Sequence, residues 1–405
     1  MPGIRPRSIL SVTTTFPSHP GDREGNFVHD SVEGLVEAGT DVSILVTRPF
    51  IPWPVAGWLG RSASAIRAAA FPGMRTIETV SRLSLPRHAL KTVSNASLDD
   101  SVLRGAERLS KQGSFDLVHG HGEELAWPVA AVARRMGIAS VVTIHGQDTA
   151  MGTMGSRAQR GRYGRALSAV DRVVLVGEPL RAVFRELAGR DEHFRVVPNG
   201  FRPPPPGMIH ARARSPGAVE RMRFISVSNL NEGKGIDVSL EALSRLWRDG
   251  FRNWSLDVVG DGGQRRSLQE QAKHLGIADR VQFLGARPHA EVYGILGRSH
   301  VFVLPSYREA FGIAYLEAMA MGLLAIGVRG QGPEAFIRDG STGLLVPPRD
   351  PVALAAVLKG VLAGPDTWRT IANRGRDEVW GKWTWAAHAQ ALLAVYDEAI
   401  REHPR

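Results

Sequence analysis

Two glutamates eight positions apart, Glu309 and Glu317, flank a glycine that opens a helical pattern in the stretch VFVLPSYREAFGIAYLEAMAMGLLAIGVRGQGPEAFIRDGSTGLLVPP, residues 301–348. Glu309 falls in the loop beside the helix start, where backbone N–H groups and the helix dipole favour a phosphate. Glu317 falls five residues beyond Gly312, roughly 7 Å along the axis at the usual helical rise, which is about the span from a diphosphate to the ribose of a nucleotide. That spacing suits a division of labour. Amides near Gly312 would hold phosphate, Glu317 would accept hydrogen bonds from ribose hydroxyls, and Glu309 would do the same for hydroxyls of a transferred group. Spacing alone favours the competing reading, a solvated helix glutamate and a loop charge, because exposed glutamates are common.

The elements that must position these acids are legible. Val301–Leu304 reads as a buried strand of a parallel sheet, Ile313–Met321 as a helix and Leu323–Val328 as the next strand. Such units bind ligands at the carboxyl ends of their strands. Upstream, Arg223–Val227 reads as a strand, followed by a loop from Asn229 to Gly235 that carries Lys234 between two glycines, then a helix through Ile236, Leu240, Leu243 and Leu246. A lysine at that mouth is a suitable point charge for a diphosphate, although alone it reads better as a surface residue in a turn. Trp254–Val259 is a further strand, ending in Gly260-Asp261-Gly262-Gly263.

The first half repeats the alternation. Strand Ser8–Thr14, a polar loop with Gly25, a helix from Phe27 and strand Val42–Thr47 form one unit, without a GxGxxG fingerprint. Alone, Gly25 reads as a turn residue. Strand Asp116–His119, helix Glu124–Met136 and strand Ser140–His145 bring three imidazoles, His119, His121 and His145, to strand ends that could line one cleft. A metal site is not expected there, since His-Glu-x-x-His and an acid cluster at ligand spacing are both missing. Strand Arg172–Val176, helix Pro179–Leu187 and strand Phe194–Pro198 lead to Asn199-Gly200 and a Pro-rich linker, 201–219. Helices Val352–Leu362, Thr367–Arg374 and Trp385–Arg401 close the chain.

Length and charge set the bounds. A chain of 405 residues without cysteine holds two domains and neither a disulfide framework nor a thiolate metal site. Its earliest apolar run, Ile9–Phe16, is half threonine and serine and too short for an export signal, and no stretch of about 18 apolar residues exists. The expectation is a cytoplasmic protein that does not span a membrane. The net charge of +10 divides equally between residues 1–200 and 201–405. It concentrates in residues 42–98, where Arg48, Arg61, Arg67, Arg75, Arg82, Arg87 and Lys91 face one acid, Glu78, with Phe50, Trp53, Trp58 and Phe71 interleaved. This segment reads as mostly irregular, and its composition suits peripheral contact with an anionic membrane. A basic loop with its aromatics in the core is the alternative. Nucleic acid is not an expected partner, since no module for it is present.

The Pro-Ser, the two glutamates, Phe-Gly and Leu-Glu-Ala-Met-Ala-x-Gly, continued by Gly330-Gln331-Gly332-Pro333-Glu334 and by residues 339–346, resemble the donor-site signature of family 4 retaining glycosyltransferases. The resemblance implies a GT-B fold, an α/β arrangement of two doubly wound Rossmann-like domains facing a central cleft. The domains would be residues 1–200, binding acceptor, and 220–380, binding nucleotide sugar, with 381–405 a terminal helix crossing back to the first. It implies donor contacts at Gly25, Asn229, Lys234, Gly260, Gly262, Glu309, Ala310, Phe311, Gly312, Ile313 and Glu317. His145, in Thr-x-His-Gly-x-Asp, matches a family residue that contacts the transferred sugar or acceptor, and His145, Glu309 and Lys234 become the catalytic candidates. No cofactor or metal is expected beyond the nucleoside-diphosphate sugar as co-substrate. The acceptor would be a glycan or lipid-linked hydroxyl in envelope or extracellular polysaccharide biosynthesis, reached at the inner face of the cell membrane.

Three departures stand out: Ala310 and Gly233 where the family usually has glycine and glutamate, and Asn229 where it often has arginine. The last removes a cation from the diphosphate site. A nucleotide-sugar epimerase of the same fold and a non-catalytic sugar-nucleotide-binding protein are the rival readings.

Overall fold

The computed structural model describes residues 8–19, 25–50, 71, 73–84, 91–146, 157–208 and 221–404. The chain divides into two compact units, Met1–Asn199 with Trp385–Arg405, and Gly200–Thr384.

The first unit is a seven-stranded sheet, β1 (Ser8–Thr13), β2 (Asp41–Phe50), β3 (Thr76–Leu83), β4 (Leu117–His121), β5 (Ala139–Ile144), β6 (Arg172–Leu175) and β7 (Phe194–Val196), in the order β3-β2-β1-β4-β5-β6-β7. Every pairing is parallel. The strand order reverses between β1 and β4, so ligands are expected where the loops after those two strands open. Its helices are α1 (Asn26–Glu37), α2 (Lys91–Ser110), α3 (Ala126–Met136), α4 (Arg157–Ala169), α5 (Pro179–Ala188) and the last of the chain, α12 (Trp385–Glu402).

Apolar runs in β1, β2 and β5 bury Ile9, Ile44 and Val141, and α1 covers them with Val28, Val32 and Leu35. The same cluster takes in Ala389, Leu392, Val395 and Tyr396 from α12, so the chain's last helix belongs to its first core. Close approach of the two helices depends on Gly34, where an added Cβ would lie 3.0 Å from the Trp385 carbonyl oxygen.

Two expectations are corrected here. Residues 76–83 form a strand, paired with β2 from Ser43↔Thr76 to Phe50↔Leu83. As an edge strand it has one neighbour and tolerates the charges that break its apolar pattern: Glu78 pairs with Arg108 at 2.6 Å, and Arg75, just before the strand, with Asp41 at 2.9 Å. The second unit also begins earlier than residue 220. Phe201 is buried, donates its N–H to the Trp383 carbonyl at 3.1 Å, and packs edge-on against Trp380. Residues 201–208 therefore belong to that unit, while 209–220 lie outside the described residues.

The second unit is a six-stranded sheet, β8 (Met222–Val227), β9 (Trp254–Val259), β10 (Val281–Gly285), β11 (Val301–Val303), β12 (Leu324–Val328) and β13 (Leu344–Val346), ordered β10-β9-β8-β11-β12-β13. All of its pairings are parallel too. The helices are α6 (Ile236–Arg248), α7 (Arg265–His274), α8 (His289–Arg298), α9 (Ile313–Ala320), α10 (Pro351–Ala363) and α11 (Pro365–Lys382). Its strand order reverses between β8 and β11. Among the described residues no helix is long and apolar enough to cross a membrane.

Candidate functional site

In the second unit, the loops after β8 and β11 open at that reversal point and are bonded to one another. The Gly233 carbonyl accepts from Tyr307 N–H at 3.0 Å and from Ser306 Oγ at 3.1 Å. Gly235, at φ 68°, lies so close to Pro305 that a Cβ would fall 2.2 Å from its carbonyl oxygen. Across this frame Lys234 Nζ meets Glu309 Oε2 at 2.9 Å, with side chains 19% and 12% exposed. Glu309 is also fixed through its backbone: its N–H donates to Gln331 Oε1 at 3.0 Å and its carbonyl accepts from Gly332 N–H at 2.9 Å. Thus two of the sequence candidates, 75 positions apart, form one ion pair.

Gly312, at φ 99°, starts α9 with no side-chain cap, leaving first-turn amides such as that of Ile313 for a ligand. Glu317 is 9% exposed and bonds to His289 Nε2 at 2.7 Å through Oε1. The turn after β9 presses on the loop after β8: a Cβ on Gly260 would lie 1.8 Å from the Ser228 carbonyl oxygen, and one on Gly262 2.6 Å from that of Leu230. Only glycine permits that approach. Asn229 is exposed in the same loop.

Two donor candidates pack their side chains into the core. Ala310 is buried, and the Phe311 ring packs against Phe336 and Trp383 at 5.5 and 5.9 Å. Their side chains set the loop's position, and only their backbone can face a ligand. Nearby, the Tyr315 hydroxyl donates to the Leu304 carbonyl, and burial first, then the Glu309 charge, pushes its pKa up.

In the first unit the three histidines do come together. His121 Nδ1 and His145 Nε2 are 3.1 Å apart, with rings stacked at 16°. His119 bridges Thr143 Oγ1 at 2.7 Å and the Tyr396 hydroxyl at 2.6 Å. Phe27, at the start of α1, packs on the His145 ring at 4.5 Å. Burial depresses all three pKa values, that of His121 to about 3, with neighbouring imidazoles adding to the effect. The cluster is neutral at pH 7. His121 Nε2 and His145 Nδ1 have no hydrogen-bond partner among the described residues; a buried polar atom left so costs about 1–3 kcal/mol, and a ligand hydroxyl would relieve it. Gln147 and Asp148 lie outside the described residues.

Gly25 is held at φ 74° at the head of α1, with room for no Cβ beside Thr15, so the backbone alone accounts for this glycine. Among the described residues one group, His29, Asp30 and Glu33, brings metal-ligand atoms within 4.8 Å of one another on α1. None of its members is a sequence candidate, although the His29 N–H donates to the Gly25 carbonyl at 3.1 Å. His289 and Tyr396 were missed because each acts over a long sequence separation that no local pattern signals, while Gln331 stands in the quoted motif with no role of its own assigned.

In the basic segment, Arg48 is buried and donates to the Phe16 carbonyl, and Phe71 is buried against Phe16. Phe50 is 55% exposed. Trp53, Trp58, Arg61, Arg67 and Arg87 lie outside the described residues.

Comparison with known proteins agrees with this geometry. Residues 25–203 match the model for Glycosyltransferase Family 4, and residues 211–378 match that for Glycosyl transferases group 1. The chain is 29% identical to a glycogen synthase of Mycobacterium tuberculosis, over 97% of this chain and 95% of that one. It is 28% identical, over 68% of each chain, to a GDP-mannose-dependent alpha-(1-6)-phosphatidylinositol monomannoside mannosyltransferase of Mycolicibacterium smegmatis. In fold it is similar to the sucrose-phosphate synthase of Thermosynechococcus elongatus, with a TM-score of 0.75 at 21% identity, over 97% of this chain and 99% of that one. With two parallel sheets of this order and a family match on each, the chain belongs to the family 4 glycosyltransferases and has their GT-B fold.

Proposed function

We propose that this chain transfers a glycosyl group from a nucleoside-diphosphate sugar to a hydroxyl of a glycan or lipid-linked acceptor, with retention of configuration and without a bound metal. The Lys234–Glu309 pair at the reversal point of the second sheet carries the reading. As the bond from the anomeric carbon to the diphosphate breaks, its electron pair passes to the phosphate oxygen. Lys234 and the first amides of α9 supply a fixed positive potential for that charge. The acceptor oxygen bonds to the same face of the anomeric carbon, and its proton passes to the departing phosphate.

This route needs no protein nucleophile. It suits a Glu309 held by Lys234 and by its backbone bonds to Gln331 and Gly332, which orients hydroxyls of the transferred sugar. Glu317, fixed by His289, faces the ribose hydroxyls, and His145, fixed by His121, presents Nδ1 to sugar or acceptor. A mannosyl acceptor built on phosphatidylinositol, in the name of one relative, supports the lipid-linked class. Arg48 is buried and Arg75 is paired with Asp41, so the remaining arginines and the tryptophans of residues 42–98 are what support peripheral contact with an anionic membrane from the cytoplasmic side.

Glu309→Gln tests the assignment. Turnover of nucleotide sugar should fall about a hundredfold or more, because sugar orientation is lost, while nucleoside-diphosphate affinity does not fall. Equal loss of both, or of neither, refutes the role. Product analysis with donor alone separates the reading from an epimerase, which would yield the epimeric sugar nucleotide, and from a binding protein, which would yield nothing.

A further inference from the structure

We propose that Arg308 is the second cation of the diphosphate site, replacing the one absent at Asn229, and that Gly233 is glycine to make room for it. The proposal rests on the donor reading of the Lys234 loop. A diphosphate brings about two negative charges to that loop. Lys234 is already opposed by Glu309 at 2.9 Å, and the side chain at 229 is neutral. The site described so far is short of positive charge.

Gly233 shows where the remainder comes from. Its φ is not in the left-handed region, so its backbone does not call for glycine. Space does: a Cβ would lie 2.9 Å from Cβ, 3.1 Å from Cδ and 3.3 Å from Cγ of Arg308. The arginine's aliphatic stem crosses the very position where the family usually carries a glutamate. Both departures in this loop, at 229 and at 233, are then answered by one residue on the neighbouring loop.

The stem is held from both sides. Before it, Tyr307 donates its N–H to the Gly233 carbonyl, and its ring lies 4.1 Å from the Arg349 guanidinium. Arg349 has a φ of 56°, the one non-glycine residue at positive φ among the described residues, so a strained backbone is kept at the contact that pins Tyr307. After it, Glu309 is bonded to Lys234 and Gln331. Arg308 is exposed and makes no ion pair or hydrogen bond among the described residues. A guanidinium with a fixed stem and a free planar fork is arranged for bidentate contact with phosphate oxygens.

Calorimetric titration of the full chain with UDP, GDP and ADP, at two salt concentrations, tests this. For whichever diphosphate binds the wild type, Arg308→Gln should weaken binding about tenfold or more and flatten its salt dependence. Gly233→Ala should displace the stem and weaken binding in the same direction, and the double variant should lose less than the two single losses combined. Arg308→Gln binding like wild type, or weaker binding with an unchanged salt dependence, overturns the proposal. If Lys234→Ala weakens binding while Arg308→Gln does not, this inference alone falls. If the wild type binds none of the three, the donor reading falls with it.

Discussion

Acid should unfold the first unit well before its carboxylates are exhausted, through imidazoles that the fold keeps neutral. Burial lowers the pKa of His121 to about 3 and that of His388 to about 4, against 6.5 for a free side chain. The bonds of His388 fix its neutral form: Nδ1 donates to the Pro198 carbonyl at 2.8 Å, so Nε2 accepts from Ser31 Oγ at 2.8 Å. Below about pH 6.5 the unfolded chain takes up protons that the folded chain refuses, so stability is lost as pH falls towards the folded values. At pH 5 this costs about 2 kcal/mol for each of the two groups, about 4 together. His119 and His145 are shifted in the same direction and add to the loss. Set against the roughly 5–15 kcal/mol of a typical domain, that is a large fraction. Urea denaturation followed by tryptophan fluorescence at pH 7.5 and pH 5 measures it, and His388→Gln isolates one group. The variant's loss between the two pH values should be smaller than wild type by about 2 kcal/mol. An identical loss in variant and wild type, or a wild-type stability that does not change with pH, would refute the reasoning.

Two further outcomes are expected at the functional surfaces. Lys234→Ala should weaken nucleoside-diphosphate binding about tenfold or more, since a charge-assisted contact is removed; unchanged binding by calorimetry counts against the donor loop. Flotation with anionic vesicles should recover the protein at low salt and release it at high salt, whereas no salt-sensitive association at all would remove the membrane contact from the reading.

The parallel architecture was legible because strands buried on both faces read as apolar runs, as at Val301–Val303 and Ala139–Ile144. Strand β3 escaped notice for the opposite reason, its polar and charged residues being tolerated by an edge position. At the site, the glycines at 235, 260 and 312 were readable since each departure from ordinary backbone or packing demands that residue type. Phe311 stands among the donor candidates by resemblance, and its ring packs in the core, a placement that an apolar ring beside a helix start does not reveal by itself. The Glu317–His289 and Tyr396–His119 contacts bridge 28 and 277 positions, distances over which no local periodicity carries information.

The enrolment of α12 in the first core fixes an order of events during synthesis. Residues 200–384 form a contiguous unit whose strands have all been synthesised before Trp385 is made. The N-terminal sheet, begun some two hundred residues earlier, must wait for Leu392 and Tyr396 to seal its apolar face. The half of the protein translated first is thus the half completed last, and until then part of its apolar face lacks its cover.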